Sequence, residues 1–125
     1  MKGFTIIELI IIIVILGVLA VSAVPIYYDL TDDAKDSSER GVVGNVRAGI
    51  MLYYVNSAKD GGTPAYPPTL DAAANGSSAS DANPFFTNAL QSGVTEGWSK
   101  NDAGKYLGPA AGLYTYTAAS GTFVK

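Results

Sequence analysis

From Phe4 to Val24 every side chain is apolar, small or hydroxylic except one, Glu8. An uncharged stretch of this kind fits a helix that crosses a membrane, which takes about 20 apolar residues. Beyond Pro25 the pattern changes. Leu30, Ala34, Gly41, Val42, Val46, Ile50 and Tyr53 recur at helical steps among charged and hydroxylic residues, which predicts a helix with one apolar face. The two stretches join into one expected helix from Phe4 to about Lys59, on the order of 80 Å long. Gly61-Gly62 after Asp60 is its stop signal.

The rest of the chain reads as a small head. Residues 63–93 are rich in Pro, Ala, Ser, Asn and Gly and are expected to be mostly loop. One short helix is expected from Pro84 to Leu90 under Asn83 as cap, docked on the long helix by Phe85, Phe86 and Leu90. Alternation at Leu113–Thr117 and at Thr122–Val124, with Ala118-Ala119-Ser120-Gly121 between, predicts a hairpin. A third strand at Lys105–Leu107 would complete a small antiparallel sheet, with Trp98 and the Tyr residues as core and rim. The expected class is α+β, the sheet packed on the second half of the long helix.

Composition removes most chemistry from this frame. The chain has no Cys and no His, which excludes thiol nucleophiles, imidazole bases and the usual zinc or copper ligands. No catalytic constellation, cofactor or metal site is expected. Asp29, Asp32, Asp33 and Asp36 read as a solvated helical face, with Asp36 and Arg40 as an i,i+4 pair, because no calcium-loop pattern is present. The net charge of -3 and the lack of a basic run indicate no nucleic acid partner. The eight Tyr residues invite a reading as a conducting stack, but packing and interfacial anchoring explain them without it.

Glu8 is the residue that discriminates between readings of the N-terminus. A charge at bilayer depth costs about 2.5 to 3.5 kcal/mol on insertion scales and calls for a partner. An ordinary signal peptide cut after Ala23 leaves Glu8 unexplained, and a plain anchor rescues it only by snorkelling. A cut after Gly3 instead makes Phe4 the first residue, with an α-amino cation of pKa near ~8. Phe4 and Glu8 are four residues apart, about 6 Å along a helix. A parallel copy raised by that distance would set its Phe4 amine level with this Glu8, locking two apolar helices in register. Such a contact is head-to-tail and builds a helical filament when its rotation does not close.

The segment "GFTIIELIIIIVILGVLA" resembles the N-terminus of type IV prepilins and of the pseudopilins of type II secretion: Gly3 before the cut, Phe4 after it, then Thr5, Glu8 and the apolar helix. The resemblance covers about the first 28 residues, and the leader, Met1-Lys2-Gly3, is shorter and less basic than many. It implies a pilin-like fold, cleavage between Gly3 and Phe4 by a prepilin peptidase, N-methylation of Phe4, and assembly through Phe4 and Glu8 on an inner-membrane platform. Gly17 and Pro25 match the family's helix-weakening positions. On physical grounds Gly17 costs about 1 kcal/mol against Ala, while Pro25 removes the hydrogen bond to the Val21 carbonyl, which Ser22 or a local 3₁₀ adjustment could satisfy, and costs ~3 kcal/mol. Many of these pseudopilins bind calcium in a C-terminal loop, a role carried over to no residue around Asn101 and Asp102.

The expected organisation is a leader at 1–3, a membrane and assembly half at 4–28, an amphipathic half at 29–60 and a head at 61–125. The chain is expected to be no enzyme but a filament subunit, a homo-oligomer that sits in the inner membrane with its head in the periplasm before assembly. Afterwards it would stand in a periplasmic pseudopilus or an extracellular pilus. The small head without a Cys pair and Tyr66-Pro67 lean toward a pseudopilin. The alternatives are a major pilin serving adhesion, motility or DNA uptake, and a secreted binding module.

Overall fold

A computed structural model of the chain describes residues 1–59 and 61–125; Asp60, the last residue of the expected amphipathic half, lies outside them. The described residues form one helix, α1 (Ile6–Ser57), and four strands, β1 (Ser99–Asp102), β2 (Lys105–Leu107), β3 (Leu113–Thr117) and β4 (Thr122–Val124). Two compact units emerge, Met1–Ala34 and Lys35–Lys125.

In the first unit, residues 1–5 are not helical and α1 begins at Ile6. Ile and Val are middling helix formers in water, but in lipid only a helix satisfies every backbone group within one segment. Residues 1–30 are all exposed. Helix α1 runs through Pro25 without interruption. Ser22 does not take the role expected of it, because its hydroxyl donates to the Val18 carbonyl at 3.1 Å rather than to Val21. A side chain at Gly17 would meet open space, so no contact within the chain requires glycine there.

In the second unit, α1 ends where Ser57 accepts a hydrogen bond from Ala65 N–H at 2.9 Å and donates to the Tyr54 carbonyl at 2.7 Å. Gly61 follows in the left-handed region, at φ 76°, as the stop signal predicted. The strands form an antiparallel meander in the order β1-β2-β3-β4. Lys105, Thr115 and Val124 stand side by side across three strands, and Tyr106 opposes Tyr114. Alternation places Lys100, Tyr106, Tyr114, Tyr116 and Phe123 on the buried face. The sheet holds one strand more than expected: β1 is polar, and it joins through its ladder to β2 and a bridge from Ser78 to Ser99.

The face of α1 that meets the core carries Glu39, Val43, Val46 and Ile50. This corrects the expected stripe. Leu30, Ala34, Gly41 and Tyr53 are exposed, Val42 is partly buried, and the true line passes through a carboxylate that a search for apolar residues skips. The expected helix at Pro84–Leu90 is also absent. Phe85 exchanges two backbone hydrogen bonds with Val94, each 2.8 Å, and Phe86 adopts φ 61°. That geometry is incompatible with a helix, and only a single turn, closed by Leu90 N–H on the Phe86 carbonyl, remains. The docking expected of the phenylalanines holds: both are buried with Val46 and Ile50, and the Phe86 ring lies 4.7 to 5.6 Å from those of Tyr106, Trp98 and Phe123. Gly49 permits the approach of this turn, since a Cβ there would collide with the Ala89 carbonyl.

Candidate assembly site and the polar anchors of the head

The residues expected to direct processing and assembly lie at the start of α1. Gly3 and Phe4 precede the helix and are exposed, and Glu8 sits in the first turn. Thr5 caps it: Glu8 N–H donates to Thr5 Oγ1 at 3.3 Å, and Thr5 N–H approaches Glu8 Oε2 at 3.5 Å. This reciprocal arrangement is a capping box, and an acid in the first turn also complements the helix dipole. Sequence reasoning passed over Thr5 as a cap, although T-x-x-E is a local signature, because the membrane reading claimed those residues first.

The structure thus brings Glu8 to Thr5 and leaves its outer face exposed among exposed Ile and Leu side chains. Helix α1 carries Gly17 and Pro25 farther along, away from this cap. Uncut at Gly3, the chain presents an amide at Phe4, which offers Glu8 no charge. A free amine at Phe4 would.

Two buried acids, Glu39 and Asp71, sit in the second unit, and the sequence pattern announces neither. Glu39 is 1 % exposed; its Oε2 accepts from Ala110 N–H at 2.8 Å and Gly112 N–H at 3.3 Å, and its Oε1 from the Tyr114 hydroxyl at 2.8 Å. Burial pushes the Tyr114 hydroxyl above the usual phenol range, and the bond to Glu39 adds to the effect. Gly108 and Gly112 make room for the carboxylate, because a Cβ on either would strike it.

Asp71 and Lys100 form the other anchor, 2.8 Å apart and both buried. Asp71 also accepts from Phe86 N–H at 3.2 Å and Ala73 N–H at 3.1 Å, and Lys100 also donates to the Ala73 carbonyl at 2.8 Å. The ammonium stands 5.6 Å from the centre of the Tyr106 ring. Burial, followed by the neighbouring Asp71, raises the Tyr106 hydroxyl far above its ordinary value. With its amine bound on two sides, Lys100 is no free nucleophile. These contacts tie the loop-rich segment to β1 and explain the shape of the Phe85-Phe86 turn.

Known proteins resemble this chain over part of its length. The type IV narrow pilus major component PilA5 of Thermus thermophilus is 43% identical over 56 residues, 45% of this chain and 48% of that protein. The type IV major pilin protein PilE1 of Neisseria gonorrhoeae is 41% identical over 58 residues, 46% of this chain and 35% of its own. A fimbrial protein of Neisseria meningitidis serogroup B is 42% identical over 55 residues, 44% of this chain and 32% of its own. The chain therefore spans about half or less of the length of the curated relatives it matches. No family model matches it. No solved structure matches it either. An apolar helix opening on Gly-Phe-Thr with Glu8 in its first turn and a small antiparallel sheet packed on the same helix's second half make a pilin-like α+β fold, and over somewhat less than half of its length the chain is similar to type IV pilins.

Proposed function

We propose that the chain is a structural subunit of a type IV pilus-like filament, cut between Gly3 and Phe4 by a prepilin peptidase and methylated on the new Phe4 amine. Residues 4–28 hold it in the inner membrane, with the head in the periplasm, until the assembly platform adds it to the filament. The observation that supports this reading most is the exposure of residues 4–28, an almost wholly apolar set with one acid, Glu8. Apolar surface on that scale takes lipid as its solvent before assembly and packs against other helices afterwards.

Glu8 gives the packing its register. Its capping bond to Thr5 N–H is 3.5 Å long, so the carboxylate retains capacity for a charged donor. The amine of a neighbouring Phe4 supplies one when two parallel copies are offset by about 6 Å. In a seam without water an ion pair of this kind serves register and specificity.

Within the filament reading we favour a pilus subunit, on the strength of relatives named as pilus components. A pseudopilin of type II secretion is the second reading, supported by the small head and the absence of Cys.

Mass spectrometry of protein recovered from membranes tests the processing. The expected mature chain begins at Phe4 and carries one added methyl group; a chain beginning at Val24 would overturn the proposal. Deleting the gene separates the branches, through loss of surface fibres for a pilin or loss of exported proteins for a pseudopilin.

A further inference from the structure

Residues 108–112, between β2 and β3, have the form of a receptor. Gly108 N–H donates to the Gly112 carbonyl at 2.9 Å and Ala111 N–H to the Gly108 carbonyl at 3.0 Å, which closes the loop on itself. Ala111 sits at φ 61°, the left-handed region that residues with a side chain rarely adopt. The closure turns Ala110 N–H and Gly112 N–H toward one point, where they meet Glu39, and the Tyr114 hydroxyl approaches from β3. Successive N–H groups gathered in a turn of mixed handedness form a concavity suited to anions.

We propose that this loop is a carboxylate-binding site built by the sheet, and that Glu39 is its resident ligand, supplied by α1. The site recognises a carboxylate by two amide donors to one oxygen, a phenol to the other, and two glycines that leave space around it. Apolar packing on a helix tolerates small rotations and slips, whereas a carboxylate with fixed donors does not. Glu39 is thus a positioning residue that sets where on α1 the sheet sits. Where the filament reading holds, the same contact determines which helix face stays free for neighbouring copies, but the site in the head stands without it.

Glu39→Ala in the full chain, held in detergent micelles, removes the atoms that acetate would replace. The head's melting temperature is expected to fall by about 10 °C or more. Sodium acetate, at roughly ten times its dissociation constant, should then recover about 5 °C, while sodium chloride of equal ionic strength does not. Glu39→Leu fills the space with an apolar group and is expected to show no response to acetate. Equal action of acetate and chloride on Glu39→Ala, or an acetate response of the same size in Glu39→Leu, would overturn the proposal.

If Glu39→Ala does not fold, amide exchange in Glu39→Gln provides the reading. Exchange at Ala110 and Gly112 should quicken by about tenfold relative to the natural chain, with Phe85 and Val94 unchanged. Unchanged exchange at Ala110 and Gly112 would also overturn it. All these measurements concern the head, so a negative result leaves the filament reading intact, and an absence of filaments leaves the receptor intact.

Discussion

Glu8 and Glu39 are carried by the same helix in opposite surroundings. Glu8 is exposed in a segment whose apolar side chains are exposed with it, and its contacts are those of a helix cap. Glu39 is buried, with donors on both carboxylate oxygens drawn from 71 to 75 residues away. The head satisfies its buried polar groups from within the chain: none of its buried side-chain nitrogens or oxygens, among the described residues, lacks a partner. The first unit has a surface that its own residues do not cover. On the proposed reading lipid and then other copies complete it, and this contrast, more than any motif, is the physical ground for proposing one unit as an assembly segment and the other as a folded domain.

The sharpest way to break the comparison is to remove the outer acid. Glu8→Ala should reach the membrane in normal amounts, since losing a charge makes insertion easier by up to about 3 kcal/mol. Its helix loses a capping partner, worth about 1 kcal/mol or less. Filaments should nevertheless fall below detection when sheared fractions are blotted or viewed by electron microscopy. Filaments in normal number from this variant would show that the exposed acid is only a cap.

The next largest effect belongs to the inner network. Asp71→Ala strands Lys100, 6 % exposed, without its carboxylate, a change that typically costs about 3 to 5 kcal/mol. Domains of this size are stabilised by about 5 to 15 kcal/mol in total. The head should therefore unfold at much lower denaturant while the apolar segment keeps its helicity. The pair Asp71→Leu with Lys100→Met should restore much of the loss, because it removes both charges together; failure to restore any would mean that the backbone bonds of Asp71 to Phe86 and Ala73 matter more than the ion pair.

A smaller, pH-dependent effect separates the units again. Burial holds the Tyr114 and Tyr116 hydroxyls above the usual phenol range. An unfolded Tyr loses its proton near pH ~10. Above that pH the folded head binds more protons than the unfolded chain, so this contribution to stability is intact below about pH 10 and is lost as pH rises through the higher folded values. Denaturation midpoints measured from about pH 8 upward should be flat at first and then decline past about pH 10. A midpoint that rises with alkalinity would contradict the burial of these hydroxyls.

How much of this could be read in the sequence follows from the range over which each feature is determined. The long helix, its stop at Gly61, β2, the β3–β4 hairpin and the Asp36–Arg40 pair depend on residues within a few positions of one another, and all five appear where periodicity and turn chemistry put them. The Glu39 receptor and the Asp71–Lys100 pair span 29 to 75 residues, and no local pattern announces them. The stripe on α1 departs from the expected one for the same reason: it passes through Glu39, whose partners lie 71 to 75 residues away. Strand β1 is polar in sequence and becomes a strand through its neighbours on both edges. Pro84-Phe85-Phe86 carried a plausible helix start, but pairing of Phe85 with Val94 and the hold of Asp71 on Phe86 N–H overrode the local preference. Among the residues proposed for assembly, Glu8 is conspicuous because one carboxylate in an apolar run violates expectation, whereas Thr5 reads as part of the run.

The smallest expected effect sharpens the comparison from its other end. Asp36 and Arg40 form an i,i+4 ion pair at 2.8 Å on the exposed side of α1, as short as the buried Asp71–Lys100 pair. Distance alone would rank the two equally. Their side chains are 44 and 78 % exposed, however, so water and salt screen the attraction and already solvate both groups in the unfolded chain. Asp36→Asn should thus shift the denaturation midpoint by an amount equivalent to about 0.5 kcal/mol or less, and the shift should vanish as salt is raised. A cost comparable to that of Asp71→Ala would mean that Asp36 is desolvated in the working protein. Since the Asp36 side chain is 44 % exposed in a single chain, that outcome would locate a subunit contact on the charged face of α1 rather than on its apolar half.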